Sequence, residues 1–208
     1  PPPTSRRSRL DAMPSGSFAR FVLLVFAWLA CTLFVWWFAS PVLSWPVAVL
    51  AELVSRVALP DLGQAVEQHG DSITFVTSLH AANATVAAAA GGVVSDDIDV
   101  RHFTFGLPLL AALILAARAP HRVRNLLIGY AILLPFQTWG VLAELLEDIA
   151  VGFGPGVASQ TGCGAWQREA IAFGYQFGTL LLPTVVPAVV WVLMHRRLLE
   201  AFARGRTL

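Results

Sequence analysis

The sequence predicts an all-α membrane bundle of four transmembrane helices, with an interfacial amphipathic helix and a small extracytoplasmic β-hairpin segment. Three observations lead there. Of the 208 residues, 56% are hydrophobic and 13% charged, about half the charged fraction usual for a soluble domain. The apolar residues fall in blocks separated by short polar stretches. Arginines gather in three of the flanking stretches and are scarce in the other two, the pattern that sets membrane orientation. The length suits a single polytopic membrane domain over 1–208.

Residues 1–17 are rich in Pro, Ser and Arg, with Arg6, Arg7 and Arg9, and hold too little apolar surface to order themselves. They are expected to form a cytoplasmic tail. Residues 21–39 are uncharged and include Trp28, Trp36 and Trp37. At about 1.5 Å per residue they reach across a hydrocarbon core of roughly 30 Å, with Trp36 and Trp37 at the far interface. The block lacks a small-x-small cleavage site before Pro41, which favours a retained anchor over a signal peptide. Pro41 and Pro46 are then expected to interrupt the helix. The stretch to Leu59 puts Ser44, Glu52, Ser55 and Arg56 near one face and Val49, Leu50, Leu53 and Val57 on the other, as in an interfacial amphipathic helix. A second short span here would place Glu52 and Arg56 in lipid, at about 2.5–3.5 kcal/mol each.

From Pro60 to Arg101 the pattern turns polar with local period two, as in Asp71-Ser72-Ile73-Thr74-Phe75-Val76-Thr77 after the turn residue Gly70. A hairpin of about 65–68 with 72–79 is expected, with a third strand through 97–101 and a small-residue loop over 81–92. Such a segment is too small to fold alone. Residues 103–117 form a short second span, followed by a basic turn with Arg118, His121, Arg122 and Arg124. Residues 126–143 form the third span, with Pro135, Gln137 and Thr138 inside it and Glu144, Glu147 and Asp148 at its end. A Gly-rich loop over 152–164 leads to a fourth span, 170–194, closed by His195, Arg196 and Arg197.

On this reading 41–102 and 144–169 are extracytoplasmic. Eleven of the 14 arginines then lie inside and three, Arg56, Arg101 and Arg168, outside, so both termini are expected in the cytoplasm. The chain has no lysine. Together with abundant Ala, Gly and Pro, this suggests a GC-rich bacterial source, and hence the inner membrane.

Three groups of residues could carry chemistry. Cys163, in Thr161-Gly162-Cys163-Gly164, could act as a thiolate nucleophile if Arg168 or a histidine lowered its pKa; the plainer reading is a surface-loop cysteine. Glu144 and Asp148 share a helix face and could bind a cation, against which stands an ion-paired or solvated helix end. Gln137, Thr138, Gln176 and Thr179 should face the bundle. With Trp139, Trp166 and Tyr175 they could line a substrate or partner groove, or simply join the third and fourth spans. No acid or base stands at mid-membrane, which disfavours a proton pump. No cofactor is implied.

The segments Leu134-Pro135-Phe136-Gln137-Thr138-Trp139-Gly140 and Trp166-Gln167-Arg168-Glu169-Ala170-Ile171-Ala172-Phe173-Gly174-Tyr175-Gln176-Phe177-Gly178, with Leu182-Pro183-Thr184, resemble the exosortase H-associated membrane protein family. The resemblance extends to the opening Trp-rich span and the 70–77 strand. It implies an inner-membrane accessory encoded beside an exosortase, the polytopic cysteine transpeptidase that processes proteins bearing a C-terminal sorting signal. The chain lacks the eight-span architecture and the Cys, Arg, His set of the transpeptidase itself. A non-enzymatic accessory is therefore favoured, with membrane lipids and an exosortase-like protein or its substrates as partners and no nucleic acid. The alternatives are a small cysteine enzyme using Cys163 and a subunit of another envelope or respiratory membrane complex.

Overall fold

A computed structural model describes residues 15–60, 63–80, 93–118, 120–196 and 200. It is mostly helical, with three long apolar helices and one small sheet.

The first helix, α1, runs unbroken from Ser15 to Ala58 through both Pro41 and Pro46. This corrects the expected break at Pro41 and the separate interfacial helix after it. A proline inside a helix removes one N–H and costs about 3 kcal/mol or more. At Pro41 the bond withdrawn is the one to the Trp37 carbonyl, and the Ser40 hydroxyl lies 3.2 Å from that oxygen. Tertiary packing does the rest: Ser44, Val47, Ala48, Ala51 and Ser55 are buried, several of them in the core shared with the sheet. The buried face of this half is thus its small-residue face. Val49, Leu53 and Val57, expected to be the apolar contact side, are exposed.

The sheet is antiparallel in the order β1 (Gly63–His69), β2 (Ser72–His80), β3 (Val93–Asp99). The β1–β2 hairpin agrees with the sequence expectation, and Gly70 supplies the positive φ of its turn. The third strand begins earlier than expected and ends at Asp99, because Arg101 already opens a helix. The expected loop over 81–92 lies outside the described residues. Along β2, Ile73, Phe75, Thr77 and Leu79 alternate inward, where they meet Val47 and Ala51 of α1 and Val141 and Leu145.

A short helix α2 (Arg101–Thr104) leads into α3 (Gly106–Ala116), together the short apolar segment expected at 103–117. Helix α4 (Arg122–Glu147) extends the expected third segment at both ends and closes in a π turn, Asp148–Gly152. The Gly-rich loop contains a short helix, α5 (Pro155–Ala158), and a 3-10 turn. Gln160 there bonds the His80 backbone in both directions, capping the end of β2. The last apolar helix starts earlier than expected: α6 (Ala165–Gln176), a π turn (Phe177–Leu181) and α7 (Leu182–Met194) follow without a break.

Helix α3 packs on α1 and α7, and α4 on α1, α6 and α7. Two cores result. One joins the sheet to the nearby ends of α1 and α4; the other gathers Leu110, Ile114, Leu133, Val190 and Trp191 toward the opposite, arginine-bearing end. Close approach of helices needs glycine at Gly106, where an added Cβ would lie 2.5 Å from the Pro183 carbonyl oxygen. That carbonyl is the acceptor left without its helical donor by Pro187.

Candidate functional site: a cleft at the sheet end of the bundle

Where the sheet meets the helices, a cleft of about 580 Å³ opens between α1, the β3–α2 corner and the α6–α7 helix. Trp36 and Trp37 form one wall, Phe105, Tyr175 and Thr179 the other, and Asp99, Arg101 and His102 the rim. Trp36 is on the inward side of α1, yet its indole N–H has no partner. Arg101 is fixed by the strand-to-helix corner. Its Nε and Nη2 donate to the Asp99 carboxylate at 3.0 and 2.7 Å, Nη1 lies 3.7 Å from Asp71, and the guanidinium stands 5.2 Å from the Trp37 ring centre. The bonds from Arg101 hold the Asp99 carboxyl below its ordinary range, against the opposing effect of burial. Asp71 is anchored in turn by the Ser40 hydroxyl at 2.5 Å. A planar guanidinium clamped by two carboxylates and stacked on indole is a rigid fixture, and it makes the cleft rim pre-formed.

Behind this corner lies a second group of carboxylates. Asp96 occupies a core-facing register of β3, between buried Val94 and Ile98. Its carboxyl is pushed up to about 7 by burial first, then by the charges of Asp148 and Glu144, with a hydrogen bond shared with Asp148 and a smaller opposing contribution from the Asp97 backbone. Asp148 heads the π turn that ends α4, with Gly152 packed so closely that a Cβ there would lie 2.7 Å from Asp148 Oδ1. Two acids meeting inside a core share a proton most readily.

A family model for exosortase H-associated membrane proteins matches residues 15–198. The chain belongs to that family. No curated protein and no solved structure matches it. Membership in the exosortase H-associated family agrees with the apolar helices and with the resemblance carried by the Leu134–Gly140 and Trp166–Gly178 segments.

The residues expected to line a groove are distributed over several surroundings. Tyr175 and Thr179 border the cleft, with the Thr179 hydroxyl donating to the Tyr175 carbonyl. Trp139 is exposed but lies beside Gly174 and Gly178, where α4 and the last helix approach. Trp166 and Gln176 are exposed elsewhere. Thr138 is buried and bonds the Leu134 carbonyl. Gln137 is buried on the far side of α4, in a cavity of about 10 Å³ beside Phe103, Leu182 and Pro183, and neither amide atom has a partner. That is room for about one water.

Cys163 is half-buried between the 3-10 turn and α6; its backbone N–H donates to the Thr161 hydroxyl. No hydrogen bond or ion pair joins it to Arg168 or a histidine among the described residues. Glu144 and Asp148 do come together, with Asp96 as the third carboxylate that the sequence reading missed. No His, Cys, Asp and Glu grouping suited to a metal occurs among the described residues. Asp96 could have been found: a strand begun at Val93 places it in the same inward register as Val94 and Ile98.

Proposed function

We propose that this protein is a non-enzymatic accessory of an exosortase-type C-terminal sorting system, held in the bacterial inner membrane by four spans with both termini in the cytoplasm. The observation that carries the reading is membership in the exosortase H-associated family over 15–198. In this arrangement α1, α4 and α6–α7 cross the bilayer, and Arg101–Ala116 is the fourth, shorter span, completed by interfacial residues or local thinning. The eleven-to-three division of arginines supports that orientation. The sheet and the cleft then face the extracytoplasmic side.

The cleft is the proposed contact for the transpeptidase or for a sorted substrate. Its aromatic walls and charged rim suit a chain that leaves the membrane at the interface, where one side of a ligand is apolar and the other wet. Co-expression with the neighbouring transpeptidase and affinity purification in mild detergent tests the assignment: the two proteins should be recovered together, and replacing Arg101 by Ala should weaken recovery. Failure to recover either the transpeptidase or its substrates sinks the accessory role. Replacing Cys163 by Ser should leave substrate processing intact; loss of processing would instead favour the cysteine-enzyme alternative.

A further inference from the structure

α1 is too long for the membrane it enters. Its 44 residues extend about 66 Å, roughly twice a hydrocarbon core of about 30 Å. The part that leaves the bilayer is marked by its neighbours. From Ser40 onward one face packs on a sheet whose exposed residues include Glu67, His69 and Asp97, which have no place in lipid.

The opposite face of this half remains apolar. Phe38, Val42, Trp45, Val49, Leu53 and Val57 follow one another at three or four residues, each 43–77% exposed, and so form one helical stripe. The stripe continues into the lipid-facing side through Phe34. At its water end Glu52 and Arg56 stand among these residues and bond each other along the helix.

We propose that this stripe pairs with the same stripe of a second copy, making a parallel two-fold dimer along α1. Three features select that occupant. The stripe passes from the lipid to the aqueous side without interruption, so its partner must be a helix that makes the same passage, and among the described elements only α1 has that length. Copies inserted with one orientation can only run parallel, which places equal heights side by side and makes the contact isologous. Charge is self-complementary in that arrangement: Glu52 of each copy can exchange its own Arg56 for that of the other, so the ends of the contact attract. The inference rests on the membrane placement proposed above, but it does not require the transpeptidase.

The test is disulfide trapping in native membranes, with Cys31 and Cys163 replaced by Ser and a copper–phenanthroline oxidant, in a host without the transpeptidase. Val49→Cys and Leu53→Cys should give a band at twice the chain mass, and Ser159→Cys, exposed away from the stripe, should not. Adding Glu52→Arg or Arg56→Glu alone should reduce the Val49→Cys band several-fold, and co-expressing the two charge variants should restore it. No double-mass band at either stripe position, or trapping equal to that of Ser159→Cys, overturns the dimer. So does a cross-link that forms only when the transpeptidase is present and runs at the summed mass of the two proteins. That last result would leave the accessory role standing, while failed co-purification would leave a trapped dimer standing.

Discussion

At the scale of single residues, the tightest constraints are glycines under neighbouring helices and one buried acid. A Cβ at Gly140 would lie 2.2 Å from the Phe103 ring, which is itself in the core beneath the sheet. Gly140→Val should therefore destabilise by about 1–3 kcal/mol through overpacking, read as a lower unfolding midpoint in detergent; an unchanged midpoint would mean that Phe103 yields freely. Asp96 gives a pH signature. Its native carboxyl titrates near 7, whereas in the unfolded chain it titrates near about 4. Between those values the native state holds the extra proton, so this residue's contribution to stability falls as pH rises across the window. Replacement by Asn should flatten that slope in unfolding curves taken from pH 4 to 8. Neither constraint was legible as a site in the sequence. Gly140 was visible only as part of a family-like segment, and Asp96 was hidden by starting the strand at Asp97, which cut it off from Val94.

At the scale of elements, what the sequence conveyed best was whatever depends on period alone. The β1–β2 hairpin followed from alternation and Gly70, and the apolar helices from the length of their uncharged runs. What it conveyed poorly depends on a donor supplied from elsewhere. Two prolines in α1 argued for a break, but the Ser40 hydroxyl lies against the carbonyl that Pro41 leaves free and also binds Asp71. Ser40→Ala should cost about 1.5–3 kcal/mol, the range for a bond to a charged group, and should loosen the hairpin from α1. Faster hydrogen exchange at Asp71 and Ser72 would report this; unchanged protection there would place the hairpin's attachment in the apolar core alone. The start of α6 was missed for a related reason: Gln167 bonds the Gly164 backbone N–H and closes the helix N-terminus, while the sequence around it reads as a polar loop.

At the scale of the whole molecule, polarity is divided along the bundle. Arg118, Arg122 and Arg124 cluster at one end, and the sheet with Asp71, Asp96, Asp99, Glu144 and Asp148 sits at the other. This separation was readable from charge placement before any coordinates, because insertion acts on arginines near helix ends irrespective of tertiary detail. The cleft was not, since its walls come from three elements far apart in sequence. With four spans in the proposed orientation, a reporter active only outside the cytoplasm should work when fused after Ala84 or Gly156 and be silent after Pro120 or Leu208. Activity after Pro120 would overturn the span count and the side on which the cleft opens.

The unbroken course of α1 also makes it a ruler. With no joint between its buried and protruding halves, the altitude and heading of the sheet are set by residue count. One residue added between Ala39 and Ser40 would raise the sheet by about 1.5 Å and swing it by about 100°, whereas seven would raise it by roughly 10 Å and return it close to its original heading. A partner that must meet the cleft at a fixed elevation would reject both insertions; one that reads only bearing would accept the longer and refuse the shorter.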